Sequence, residues 1–224
     1  IIDSLCYWAS EYHIDGFRFD LMGVLDIETL NEARKALLKI NPDIIMYGEG
    51  WTGGESTLPE SERGMKINAP RTPGIGMFSD DIRDAVKGHV FYMDELGFVN
   101  GAADRGEELK QAVMCAKWAK SPMQSINYLS CHDNYTLWDR FIISNSHESE
   151  EMRIRMNKLA AAILFTAQGI PFFLHGEEFA RTKISEADGA PVENSYCSPL
   201  SVNAIDYDRA EQFSDLKAYY KGLI

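Results

Sequence analysis

At 224 residues, with 45% hydrophobic and 25% charged residues, the chain has the size and composition of one large globular domain or two small ones. A net charge of −12, with the 22 Lys and Arg residues forming no run, argues against a nucleic-acid or anionic-membrane surface. No apolar run approaches the roughly 20 residues of a membrane span.

Ile1, Leu5, Trp8 and Ala9 fall at helical spacing. Ile14 to Phe19 follows as a strand with Asp20 at its tip. Asp26 is placed to cap a helix whose apolar stripe is Ile27, Leu30, Ala33, Leu37 and Leu38, stopped by Asn41-Pro42. Ile44 to Tyr47 is a second buried strand, ending at Glu49. The stretch from Thr52 to about Gly76 is rich in Gly, Pro and Ser, and a loop that long in a compact domain is usually functional. Met77-Phe78 is a short strand, and Ser79 is placed to cap a helix through Val86. A further helix is expected from about Glu107 to Trp118. Ser125 to Leu129 forms a strand ending at His132-Asp133, and helices follow over Thr136 to Ile143 and Glu150 to Gln168. Gly169 to Leu174 is the last strand, with His175-Gly176-Glu177-Glu178 at its tip as a site rim or a structural cap. A polar excursion from Arg181 to about Ile205 leads to a final helix.

Strands buried on both faces and alternating with helices predict an α/β fold of parallel strands joined by crossover helices. A closed βα-barrel and an open doubly wound sheet both fit this order. No GxGxxG follows a strand, and charged residues end successive strands, which favours the barrel with its site at the strand C-termini. About five strand–helix units are present where a complete barrel has eight. The expected fold is therefore an incomplete (β/α)8 TIM barrel, with residues 1–224 as one partial catalytic domain. The chain opens and closes inside helical patterns without an initiator Met, as a piece of a longer polypeptide would, so its compartment is left open. Missing strands would expose sheet edges and core, and poor stability or aggregation of the isolated chain is the expected consequence.

Three strand exits carry chemistry. Arg18 and Asp20 are two apart on a strand, so both side chains leave one face, and the guanidinium would hold the carboxylate ionised, as a nucleophile must be. An ion pair at a sheet edge has the same pattern. Glu49 stands between Gly48 and Gly50 with Trp51 next. Burial beside an aromatic ring would favour a protonated carboxyl, the form an acid catalyst needs. The glycines would admit a substrate to the backbone, and the indole offers a face for a sugar ring. An incidental Glu in a surface turn would look alike. His132-Asp133 offers a donor for sugar hydroxyls and a further anionic carboxylate, or a strand-ending cap. Together the three supply a nucleophile, an acid and a stabiliser for retaining glycoside hydrolysis. Cys6, Cys115, Cys131 and Cys197 lack metal-ligand or CxxC spacing, and Cys6, Cys115 and Cys131, with apolar neighbours, are expected to pack as small hydrophobes. No metal is expected, and no oxygen-rich loop stands out for calcium.

Asp15-Gly16-Phe17-Arg18-Phe19-Asp20, Tyr47-Gly48-Glu49-Gly50-Trp51 and Ser130-Cys131-His132-Asp133-Asn134 resemble the second, third and fourth signature regions of the alpha-amylase family of glycoside hydrolases. The order and separations match as well. Gly48 to Trp51, His132 to Asp139, Gly176 to Lys183, Asn194-Ser195-Tyr196 and Ser201 to Tyr207 are similar to type I pullulanases within it. The resemblance implies Asp20 as nucleophile, Glu49 as acid/base and Asp133 as the fixed carboxylate, with Arg18, Trp51 and His132 at the substrate. It implies a debranching hydrolase cutting alpha-1,6 links in pullulan, amylopectin, glycogen and limit dextrins. An alpha-1,4-acting or branch-transferring relative and a silent glucan-binding fragment are the alternatives. It also implies a first signature region before Ile1, a β-sandwich after Ile224, and calcium in many relatives.

Overall fold

The computed structural model describes residues 1–224 and divides into two compact units. The first comprises residues 1–79, 115–126 and 168–170 and holds most of the sheet. Its first strands are β1 (Gly16–Phe19), β2 (Ile45–Gly48) and β3 (Gly76–Ser79). β1 pairs with β2 and β2 with β3 in parallel, setting Arg18 beside Tyr47, Phe19 beside Gly48 and Gly48 beside Met77. Two more strands, β4 (Ser125–Asn127) and β5 (Ile170–Pro171), complete the order β1-β2-β3-β4-β5. Each strand thus neighbours its predecessor in sequence. A doubly wound sheet reverses direction at a switch point, and a barrel does not. This order decides between the two architectures, and the expected incomplete barrel of five strand–helix units is what is found.

Helix α1 (Ile2–Glu11) enters β1, and α2 (Ile27–Leu38) joins β1 to β2. Asp26 caps α2 as expected, its carboxylate taking Thr29 N–H at 2.6 Å and Thr29 Oγ1 at 2.7 Å. Leu30, Ala33 and Leu37 then pack with Met22, Ile44, Met46, Ile75 and Met77, the core of this unit. The stretch between β2 and β3 contains short 3-10 turns at Glu60–Glu62 and Lys66–Arg71. It is tied down by polar bonds. Arg63 donates to Leu58 O and Ser56 O, and Gln124 donates to Ala69 O and Thr72 O.

The second unit comprises residues 80–114, 127–167 and 171–224. It contains α3 (Asp80–Lys87), α4 (Gly106–Val113), α5 (Leu137–Ser144), α6 (Glu150–Thr166), α7 (Leu200–Asn203), α8 (Asp208–Gln212) and α9 (Ser214–Leu223). Ile82, Val86, Leu129, Leu137, Phe141, Ala160 and Leu164 form one core, and Trp138, Phe179, Phe213, Leu216 and Tyr220 another. Acidic residues occupy the first turns of α3 and α6, where the helix dipole favours them.

Several boundaries differ from expectation. The helix expected to reach Trp118 stops at Val113, because Cys115 takes the left-handed conformation (φ 83°), which no helix continues through. Only Ile170 and Pro171 of the last strand hold strand geometry, although Phe172 N–H still reaches Asn127 O at 2.7 Å. Ser79 Oγ is buried without a hydrogen bond, so Ser79 is not the expected cap. The final helix is broken at Phe213 into α8 and α9.

Candidate active site

In the first unit, three sequence-predicted residues meet. Arg18 leaves β1 and donates through Nη1 to Asp20 Oδ1 at 2.6 Å and through Nη2 to Glu49 Oε1 at 2.7 Å. The second Glu49 oxygen accepts the Leu21 N–H at 2.8 Å. That bond requires an unusual backbone, since Leu21 is left-handed at φ 41°. For a leucine this conformation costs energy, and such strain gathers at functional sites. Glu49 is only 6% exposed, whereas the Asp20 side chain is 70% exposed. One guanidinium therefore holds two carboxylates in unlike settings, one buried and doubly bonded, the other open to solvent. Unlike settings for paired carboxylates are how one site obtains two chemical roles.

The setting of Glu49 is not quite the expected one. It is buried, but its polar contacts are a cation and a backbone amide. The flanking glycines also serve another purpose than admitting substrate. A Cβ on Gly48 would stand 2.5 Å from Phe19 O and 2.9 Å from Phe19 Cβ. On Gly50 it would stand 2.7 Å from Lys66 Cγ and 2.9 Å from Met77 Sδ. Both are bare so that neighbouring chain can close around Glu49. Trp51 is half-buried and lines a groove of about 520 Å³ with Gly50, Met65, Lys66 and Ile67. The long loop after β2 supplies much of that groove.

His132 and Asp133 lie in the second unit. His132 Nε2 is 3.4 Å from Asp133 Oδ2, and both side chains are largely open. Their segment is tethered on either side. Ser130 Oγ donates to Glu177, and Asn134 N–H donates to Asn194 Oδ1 at 2.9 Å with Asn134 itself at φ 59°. The Cys131 thiol, pushed up by burial, lies 4.0 Å from Asp133 O. Donor atoms of Cys131, His132 and Asp133 fall within 4.8 Å of one another. A thiol, an imidazole and one carboxylate do not make the six-to-eight-oxygen shell of calcium, so this cluster does not fit that ion.

Sequence reasoning did not single out Leu21, whose amide holds Glu49, nor Lys87 and the depth of Glu177. Lys87 is 2% and Glu177 3% exposed. Burial lowers the Lys87 ammonium to about 7, reinforced by Arg83, and raises the Glu177 carboxyl to about 7. The only signal for Glu177 was its place after the last strand. Lys87 gave none, because a lysine in a last turn is ordinarily a surface residue.

No family model matches the chain. A pullulanase of Bacillus subtilis is 40% identical over the whole chain, which covers 31% of that protein. A crystal structure of pullulanase from Paenibacillus barengoltzii, complexed with maltohexaose and alpha-cyclodextrin, superposes with a TM-score of 0.92 at 46% identity. It matches 99% of this chain and 34% of its own. A pullulanase from Anoxybacillus sp. LM18-11, complexed with maltotetraose, gives 0.93 at 44% identity, with 99% and 32% covered. The chain thus spans about a third of the length of the relatives it matches. No helix is long and apolar enough to cross a membrane.

Proposed function

The chain belongs to the pullulanases, as a segment of their catalytic barrel, and from that premise we propose that it carries the reacting carboxylates of a retaining alpha-1,6-glucan hydrolase. The observation that carries this reading is Arg18 bonded to both Asp20 and Glu49 in a chain similar end to end to pullulanases. Glu49 protonates the glycosidic oxygen while Asp20 attacks the anomeric carbon. The C–O bond to the leaving sugar breaks and a glycosyl–Asp20 ester forms. Water, deprotonated by Glu49, then cleaves the ester and restores both groups. The exposure of Asp20 suits an attacking group, and the enclosure of Glu49 suits one that must be held in place. Trp51 stacks against a sugar ring from the groove wall, His132 donates to sugar hydroxyls, and Asp133 is the fixed carboxylate. The substrates are alpha-glucans with alpha-1,6 branches, such as pullulan, amylopectin, glycogen and limit dextrins. The chemistry proposed uses carboxylates alone.

The test is reducing-end release from pullulan by the full-length parent enzyme, with Asp20→Asn and Glu49→Gln as controls. Maltotriose from the unmodified enzyme, lost in both variants, is the expected result. Release of other products would mark alpha-1,4 cleavage. Retention on starch without any release would mark a glucan-binding segment instead, and near-normal turnover in either variant would remove that residue from the mechanism.

A further inference from the structure

The segment carrying His132 and Asp133 is fastened from below by a buried group with no part in the proposed chemistry. Ser130 is two residues before His132 and is 2% exposed. Its hydroxyl donates to Glu177 Oε2. Glu177 Oε1 lies 3.4 Å from Tyr220 Oη, and Tyr220 Oη lies 2.7 Å from Asn157 Oδ1. All four side chains are buried, on four different stretches of the second unit. The turn bearing Glu177 is itself fixed at both ends. Gly176 (φ 96°) and Ala180 (φ 57°) are left-handed, Arg181 N–H bonds Gly176 O at 2.8 Å, and Arg209 Nη2 bonds Ala180 O at 2.6 Å.

The clasp holds Glu177 through both carboxyl oxygens. Ser130 Oγ donates to Oε2, and the Tyr220 hydroxyl, which donates to Asn157 Oδ1 at 2.7 Å, also points its donor at Oε1 from 3.4 Å. The two hydroxyls come from residues 90 positions apart in the chain, so the carboxyl ties the exit after Ser130 to the last helix. Burial raises the Glu177 carboxyl to about 7.

We propose that Glu177 is a positioning residue: clasped between Ser130 and Tyr220, it fixes the strand exit on which His132 and Asp133 stand. The importance of that exit rests on the function proposed above, but the clasp itself does not. A carboxyl has a close mimic in a carboxamide of the same shape, whose carbonyl still accepts from Ser130 and whose N–H can meet the Tyr220 oxygen. A structural filler of the same volume would also be tolerated as Gln, but it would have no reason to report at His132.

The experiment is a two-dimensional ring C–H spectrum of the ¹³C-histidine-labelled chain, with the His132 signal assigned by His132→Asn. Ser130→Ala and Glu177→Ala are expected to move or broaden the His132 signal while leaving those of His13 and His147 in place. Glu177→Gln is expected to return it to its original position. Ser130→Ala removes one buried oxygen only, so it keeps the test decisive should Glu177→Ala fail to fold. An unmoved His132 signal in folded Ser130→Ala would overturn the proposal, as would a Gln variant that matches Ala. The readout needs no turnover, so failure of the pullulan assay and failure of the clasp are separate results.

Discussion

Arg18 Nη2 lies 2.7 Å from Glu49 Oε1 across the first pair of parallel strands, and its other nitrogen lies 2.6 Å from Asp20. The contact follows from register. Glu49 N–H bonds Phe19 O at 3.1 Å, continuing the ladder one step past Gly48, so both exits end level. An arginine fork is suited to two carboxylates at once, where a lysine is a single point charge.

Replacing Arg18 should therefore damage both stability and turnover. Arg18→Leu leaves Glu49 buried with one partner lost, at a cost of about 1–3 kcal/mol. Arg18→Lys should recover part of the stability but little of the turnover. Urea midpoints and pullulan hydrolysis on the same preparations check this. Equal recovery of both by Lys would mean that only charge matters at this position.

Gly48→Ala tests the enclosure of Glu49. The added methyl meets backbone oxygen at 2.5 Å, which cannot move without opening the β1–β2 pair. The expected cost is about 1–3 kcal/mol, the range of overpacking in a tight core. Gly54→Ala, where a methyl meets nothing within 4 Å, is the matched control and should be close to neutral.

The buried pair Lys87 and Glu177 predicts a particular dependence of stability on pH. Between its ordinary 4.5 and about 7, Glu177 keeps a proton in the folded chain that the unfolded chain releases, so stability falls as pH rises through that window. Lys87 releases its proton near 7 when folded but near 10.5 when unfolded, so its contribution rises with pH above 7. The groups acting on the pair are Arg83, Arg140, Cys131 and Glu178. Glu177→Gln removes the first limb and also takes away the carboxylate that favours the Lys87 ammonium. Its urea midpoint, relative to the unmodified chain, should improve from pH 5 to pH 7, by on the order of 3 kcal/mol at most. Parallel curves for the two proteins would contradict the burial argument.

Asp26→Ala should cost about 1 kcal/mol at neutral pH through loss of the α2 cap. The bonded Thr29 N–H holds the Asp26 carboxyl below its ordinary 3.8. Its contribution is present above that value and fades as pH falls through the lower folded value. The difference between variant and parent midpoints should accordingly shrink below pH 3.8. A constant difference would assign the cost to something other than the carboxylate.

The sequence by itself determined the alternation of strands and helices, the cap at Asp26, and the three charged strand exits. Each of these is local: period, capping and the apolar-to-charged change at a strand end are written in neighbouring residues. The resemblance carried by Asp15 to Asp20, Tyr47 to Trp51 and Ser130 to Asn134 reached the family for the same reason, since signature residues cluster at strand ends. Tertiary structure alone decided the rest. The charged strand ends already favoured the barrel over a doubly wound sheet, but it was strand order, which pairing sets and periodicity does not, that decided between them. The early end of α4 depended on a left-handed Cys115, a conformation that a cysteine rarely adopts and that neighbouring residues in the sequence do not announce. Gly48 and Gly50 serve contacts from Phe19, Lys66 and Met77, up to 29 residues away in the chain. Lys87 looks like a surface charge in the sequence and Glu177 like a site rim or cap, and both became buried on folding, which brought Ser130 and Tyr220 onto the Glu177 carboxyl. A side chain's chemistry is local, but its dielectric surroundings and its partners belong to the fold.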